Sequence, residues 1–416
     1  MRNIVLITLD SLRADHCRFM GYHRETTPTI DKMAKKGLYF ENAIASGVPT
    51  PVSMVGVFTG DYSYNNPTCI KPKPWREELA NRNTLAQVLS ERGYTTIAFH
   101  ANPTVSKYFG FDKGFDYFND FLKKGEVKDL TSDSKFKSFF MSIRNILKKE
   151  GYTRPWECIY DSIIEMVELV KRPYFLWILL LDTHLPYLPP REYRRWSRVN
   201  SFYLIYLYWR IRRRNGMSGN AREIEKIVNA YDDEIRHTDA FIGKLWQDLR
   251  DDDPIFIIHG DHGDGFGEHG FYYHPPLLYE ELIHVPLVIY NADVRGKVHE
   301  PVSLLGLAPS ILELIGEEKN KFPSKSFLRA REDWVVSKVF DGKKMKVSVR
   351  MKDWKFITGQ KDVDELYNLK RDPYEQKNLI EDHPDLAKEM RKIAERHVKQ
   401  EMEKRRIRKR ISRLNL

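Results

Sequence analysis

Long apolar runs are missing from this 416-residue chain: the two longest, YFLWILLL (174–181) and FYLIYLYW (202–209), end after eight residues. A helix needs about 20 to cross a bilayer, so neither run spans one. The N-terminal MRNIVLITLD reaches Asp10 too soon for the apolar core of a signal peptide, and a cytoplasmic location is expected. Cysteine is almost absent. Cys17, Cys69 and Cys158 stand far apart, which excludes a disulfide framework and a thiolate metal site. Glutamine is scarce beside lysine, arginine and glutamate, a bias shared with proteins of thermophiles.

What the chain does have is the balance of a soluble globular protein, 42% hydrophobic and 30% charged, with a net charge of +10. The positive surplus is local. It sits in REYRRWSR (191–198), WRIRRR (209–214) and the tail KRRIRKRISR (404–413), which read as solvated basic helices or as peripheral contacts with an anionic membrane surface. No nucleic-acid partner is expected.

Several continuous apolar stretches suit strands buried on both faces of a parallel sheet: IVLITL (4–9), TTIAFH (95–100), YFLWILLL (174–181), IFIIHG (255–260) and VPLVIY (285–290). Helical patterns lie between them, in TPTIDKMAKKG (27–37), NTLAQVLSERG (83–93) and the long amphipathic stretch 222–249. Strands alternating with helices predict an α/β sandwich around a mostly parallel sheet. A catalytic domain is expected over 1–318, with helical insertions near 120–172 and 190–225. The runs WVVSKVF, KMKVSVRM and WKFITG predict a small antiparallel subdomain over 319–380, followed by a basic helical tail over 381–416.

Ligands in open α/β sheets bind at the carboxyl ends of the strands, and three such ends here carry polar residues. Asp10 follows the first strand, Asp182–Thr183–His184 the third, and Asp261–His262 the fourth. Five of the 13 histidines fall between His259 and His284. Asp10, Asp261 and His262 form a mixed oxygen and nitrogen set for one divalent cation, suited to Mn2+ or Zn2+ before Ca2+ or Mg2+. Thr50, in VPTPVS, stands where a helix begins. It reads either as a helix cap or as a hydroxyl that becomes a nucleophile beside a cation.

The order of these segments resembles the sulfatase family of the alkaline phosphatase superfamily. The resemblance is carried by the opening 4–45, by DTHLPYLPP, YDDEIRHTDAFIGKL and GDHGDGFGEHGFYYHPPLLYEELIHVPLVIY, and by LLGLAPSILELIG and ELYNLKRDPYEQKNL. It implies an alkaline-phosphatase-like fold and metal ligation by Asp10, Asp261, His262 and Thr50. It also implies that Thr50, ten residues before Gly60, is the nucleophile, and that His184 and His274 contact the substrate's tetrahedral group or assist the leaving group.

Two departures from the family pattern stand out. Thr50-Pro51-Val52-Ser53-Met54 replaces Cys-x-Pro-Ser-Arg, so no formylglycine can form, and Ser53 is the alternative nucleophile. Ser11 stands where many sulfatases carry a further aspartate. A threonine nucleophile is similar to that of the phosphodiesterase, nucleotide pyrophosphatase and lipoteichoic acid synthase branches. The expected activity is therefore hydrolysis of a sulfate or phosphate ester borne by a small molecule, lipid or sugar. Its alternatives are a phosphodiesterase, a phosphoglycerol- or phosphoethanolamine-type transferase, and a non-catalytic protein that binds polyanions or membrane surfaces.

Overall fold

Six apolar residues in succession, Ile4–Leu9, form strand β1, and every one is buried. Such a run has no polar face to offer water, so it takes a central place, covered on both sides. The computed structural model describes residues 1–67, 71–122, 154–213, 220–317, 319–329, 332–342 and 344–414. The expected insertions at 120–172 and 190–225, and the boundary at 318, lie partly outside these residues.

The main sheet comprises β1, β2 (Leu38–Phe40), β3 (Thr95–His100), β4 (Tyr117–Asn119), β5 (Tyr174–Leu180), β6 (Ile255–Gly260), β7 (Leu287–Tyr290) and β8 (Gly296–Val298). Its order is β8-β2-β7-β6-β1-β5-β3-β4. Around β1 the pairing is parallel, with both β5 and β6. The segment 285–290, expected as another parallel strand, differs. Its strand β7 runs antiparallel to β6 and to β2. The chain leaves β6 at the carboxyl edge and, after the short pieces Gly265–Phe266, Tyr272–Tyr273, Glu280–Ile283 and His284–Val285, re-enters from that same edge rather than crossing back over the sheet, which makes the pairing antiparallel.

Helices close both faces: α1 (Pro28–Lys36), α2 (Thr50–Thr59), α3 (Leu85–Ser90), α4 (Glu157–Leu169), α5 (Ser201–Arg213), α6 (Ala221–Asp248) and α7 (Leu307–Leu314). Leu6, Trp177 and Ile257 pack with α2, α3 and α7 in one core cluster. Their neighbours Val5, Ile7 and Ile178 point the other way, into a second cluster with α1, α4, α5 and α6. Helix α6 begins with a capping box, in which Asn220 accepts from the Glu223 backbone and Glu223 from that of Asn220. Helix α5, expected as a solvated basic helix, buries Leu204, Leu207 and Ile211 along one face.

A second sheet, antiparallel, runs β9 (Trp334–Asp341), β10 (Lys344–Met351), β11 (Trp354–Thr358) and β12 (Glu365–Asn368) in sequence order. One face carries Val347, Val349 and Phe356 against Ala387, Met390 and Ala394 of helix α8 (Pro384–Leu414). The other brings Val335 and Val339 into the main core, and the Lys338 N–H bonds Ser46 O at 3.0 Å.

The tail is not wholly solvated, in contrast to the sequence expectation. Glu401 of α8 meets Lys338 Nζ at 2.5 Å, with both side chains 1% exposed, and Arg408 pairs with Asp61 at 2.6 Å. Burial lowers the lysine to about 8. Burial opposes ionisation of Glu401 too, yet the adjacent Lys338 charge holds it at about 2. Removing one partner of such a pair strands the other, at a cost of about 3 kcal/mol or more. Glu401→Gln should therefore lower stability by about that amount in urea unfolding, and Lys338→Met with Glu401→Leu should recover most of it. The folded pKa of Glu401 lies below the ordinary 4.5, so unfolding takes up a proton in acid. The deficit of Glu401→Gln should thus hold above about pH 4.5 and shrink as the pH falls toward 2.

Candidate active site

The parallel register creates the site. Leu9 pairs with Gly260 on β6 and with Leu180 on β5, so the next residues, Asp10 and Asp261, emerge side by side at the carboxyl edge. Both are fully buried. Burial, reinforced by the charge of Asp261, raises the Asp10 pKa, and burial pushes Asp261 up to about 6.

Local backbone geometry answers part of this charge. Ser11 takes a left-handed conformation at φ 65°, sparsely populated for a residue with a Cβ. The bend aims its N–H at Asp261 Oδ1 (3.0 Å), where the His262 N–H also donates (2.8 Å). Tyr231 of α6 bonds both sides of the turn, donating to Ser11 O (2.8 Å) and accepting from the Arg13 N–H (2.9 Å). Asp10 accepts from Ser11 Oγ (3.1 Å) and Asn102 Nδ2 (2.7 Å).

Thr50 does not cap α2. Pro49 is the N-cap residue and no side chain caps the helix. Instead Thr50 is the first helical residue, and its Oγ1 lies 3.1 Å from His262 Nε2 and 3.3 Å from Asp10 Oδ2. Ser53, one turn on, donates its Oγ to the Asp261 carbonyl at 2.7 Å and is fully buried.

The His262 ring is fixed by its Nδ1, 2.9 Å from Gly263 O. Donation there leaves Nε2 with a lone pair. Burial, then the nearby His274 charge, lowers His262 to about 4 and keeps it neutral. Asp261 Oδ2 is buried without a hydrogen-bond donor and faces that Nε2 at 3.6 Å. Two crowded carboxylates, one of them with an unsatisfied oxygen, and a neutral imidazole suit a divalent cation.

His274 differs in kind. Burial favours its neutral form, but Asp264 Oδ1, 2.5 Å from Nδ1, reverses this and the pKa is raised. Tyr187 holds Asp264 from the other side, donating to Oδ2 at 2.6 Å. The His274 ring lies 4.6 Å from His262 and 5.2 Å from His184. His184 directs Nδ1 at Leu185 O (2.8 Å). Thr50, Asp10, Asp261, His262, His184 and His274 thus share one site.

Other polar residues from the same segments do not reach it. Asp182 turns away toward Glu234 and His237, while Thr183 Oγ1 donates to Asp10 O (2.6 Å). In the histidine-rich stretch, His259 bonds Thr8 inside the sheet, His269 binds Glu281 and the Glu375 carbonyl, and His284 binds the Glu41 carbonyl. Sequence reasoning missed Asn102, Asp264 and Tyr187. Asn102 follows β3 by two residues, so its position just past a parallel strand was the available signal.

A family model described as Sulfatase matches residues 2–317. An arylsulfatase of Clostridium perfringens is 25% identical over 456 residues, covering 94% of this chain and 93% of that protein. The phosphonate monoester hydrolase of Agrobacterium radiobacter has the same fold, with a TM-score of 0.72, 17% identity and 96% coverage of each chain. So does a protein solved in complex with its substrate D-glucosamine-2-N,6-O-disulfate, with a TM-score of 0.69, 18% identity and coverage of 96% and 98%. Matched by that family model over three quarters of its length, and built on that fold, this chain belongs to the sulfatase family.

Proposed function

We propose that this sulfatase-family hydrolase cleaves its ester through a covalent intermediate on Thr50, with a phosphate ester favoured over a sulfate ester. The observation that carries the reading is the position of Thr50 Oγ1, buried between His262 Nε2 and Asp10 Oδ2 rather than spent on the helix end. Asp10, Asp261, His262 and Thr50 would hold a divalent cation, which when bound polarises the ester oxygen and eases loss of the threonine proton. Thr50 Oγ1 then forms the bond to phosphorus or sulfur. His274, kept charged by Asp264, gives its proton to the departing alkoxide, and His184 orients the tetrahedral group. Water then attacks the Thr50 ester, passing a proton to the now neutral His274; phosphate or sulfate leaves, Thr50 Oγ1 regains a proton from solvent, and both groups return to their starting state. Threonine has no route to the formylglycine hydrate, which is why phosphorus is favoured. The similar arylsulfatase is named for a sulfate ester and the structurally similar hydrolase for a phosphonate monoester, and this pairing of sulfur and phosphorus substrates supports testing both.

Thr50→Ala should abolish turnover of an aryl ester, by about 10³-fold or more, with the melting temperature kept. Thr50→Ser should retain part of it. Peptide mass spectrometry after trapping with a slow substrate should place the adduct on Thr50. An adduct on Ser53, or wild-type rates from Thr50→Ala, would overturn the assignment. A panel of aryl sulfates, phosphate monoesters, diesters and phosphonates decides the ester.

Purified protein should contain about one divalent ion per chain by elemental analysis, and Asp261→Ala should lose it together with activity. Full occupancy in that variant would remove Asp261 from the ligand set.

A further inference from the structure

Helix α5 has two apolar faces, one buried against the protein and one that carries two exposed aromatic rings. Leu204, Leu207 and Ile211 are buried, and Leu204 and Ile211 with Tyr208 line a pocket shared with Leu185, next to His184. Tyr273, which precedes His274, donates to the Tyr208 carbonyl at 3.1 Å. On the opposite side, at helical spacing i, i+4, i+7, stand Phe202, Tyr206 and Trp209. Phe202 is 74% exposed and Tyr206 49%, and the rings of Tyr206 and Trp209 lie 6.5 Å apart.

Arginines flank this stripe. Arg191, Arg195 and Arg198 are exposed in the segment leading into α5. Arg194 holds that segment to the helix by donating to Val199 O (3.1 Å) and Ser201 Oγ (2.8 Å). At the other end Arg210 pairs with Glu223, and the sequence continues with Arg212, Arg213 and Arg214.

We propose that α5 is an interfacial helix that seats the protein on an anionic lipid bilayer. The exposed rings of Phe202 and Tyr206, bordered by arginines, match the headgroup boundary, where rings enter the acyl edge and guanidinium groups meet lipid phosphates. A second copy of the chain fits less well, because its own arginines would face these. Single-stranded RNA would match the charge, but a single convex helix offers no groove to track a backbone. The inner face of the same helix meets Leu185 and Tyr273, neighbours of His184 and His274, so α5 lies between the seat and the site.

The test is co-sedimentation of the full chain with vesicles of phosphatidylcholine alone or with about one third phosphatidylglycerol. Binding should be at least about ten-fold tighter to the anionic vesicles and should fall about ten-fold in Phe202→Ala/Tyr206→Ala. Arg191→Glu/Arg198→Glu, which leaves the aromatic stripe intact, should lose the preference for anionic lipid. Turnover of a soluble aryl ester without vesicles should be unchanged in both variants, which separates this proposal from the reaction at Thr50. Equal binding to both vesicles, undiminished binding by the aromatic variant, or retention by single-stranded RNA in place of vesicles would overturn it.

Discussion

Two carboxylates, Asp10 and Asp261, are pressed together in the protein interior because β1 and β6 run parallel in a register that ends them at the same level. Like charges at that depth are costly unless donors or a cation answer them. Almost every polar contact nearby is such an answer: the Ser11 and His262 N–H groups on Asp261, and Asn102 and the hydroxyls of Ser11 and Thr50 on Asp10. One oxygen, Asp261 Oδ2, is left over. The site is therefore poised for a positive ion, and Thr50 is placed by the same demand.

The histidines divide into two chemical kinds by their partners. His262 turns Nδ1 to a backbone carbonyl, stays neutral and presents a lone pair. His274 turns Nδ1 to a carboxylate and is biased toward the cation. Twelve residues apart in one segment, they can serve as ligand and as proton donor because a carbonyl and a carboxylate select different protonation states.

The small C-terminal sheet takes part in this arrangement from a distance. Lys355, fully buried, meets Glu280 at 3.1 Å and Glu375 at 2.9 Å. Glu375 accepts from the Glu280 N–H, and its carbonyl lies 3.1 Å from His269 Nε2. The ring of His269 in turn stacks on Tyr279. These contacts tie both ends of the loop carrying His274 to strand β11 and to the stretch after β12. The chain that follows the main sheet thereby braces a residue of the site without touching it.

By itself the sequence determined the α/β class, the buried strands, the helical stretches 27–37 and 222–249, the antiparallel C-terminal runs and the family. Each of these rests on local pattern: continuous apolar runs, capping residues, alternation, and motifs in a fixed order. Tertiary structure alone decided what depends on residues far apart. It turned β7 antiparallel, because the chain returns to the sheet from the carboxyl edge where it left β6. It gave Thr50 Oγ1 to His262 and Asp10 instead of the helix end, since the other side of that contact comes from residues 40 and 212 positions away. It drew Asp182 toward His237 and spent His259, His269 and His284 on the scaffold, although they lie in the same histidine-rich stretch as His262 and His274. It also buried Glu401 against Lys338, because a basic tail reads as solvated until a distant lysine supplies its partner.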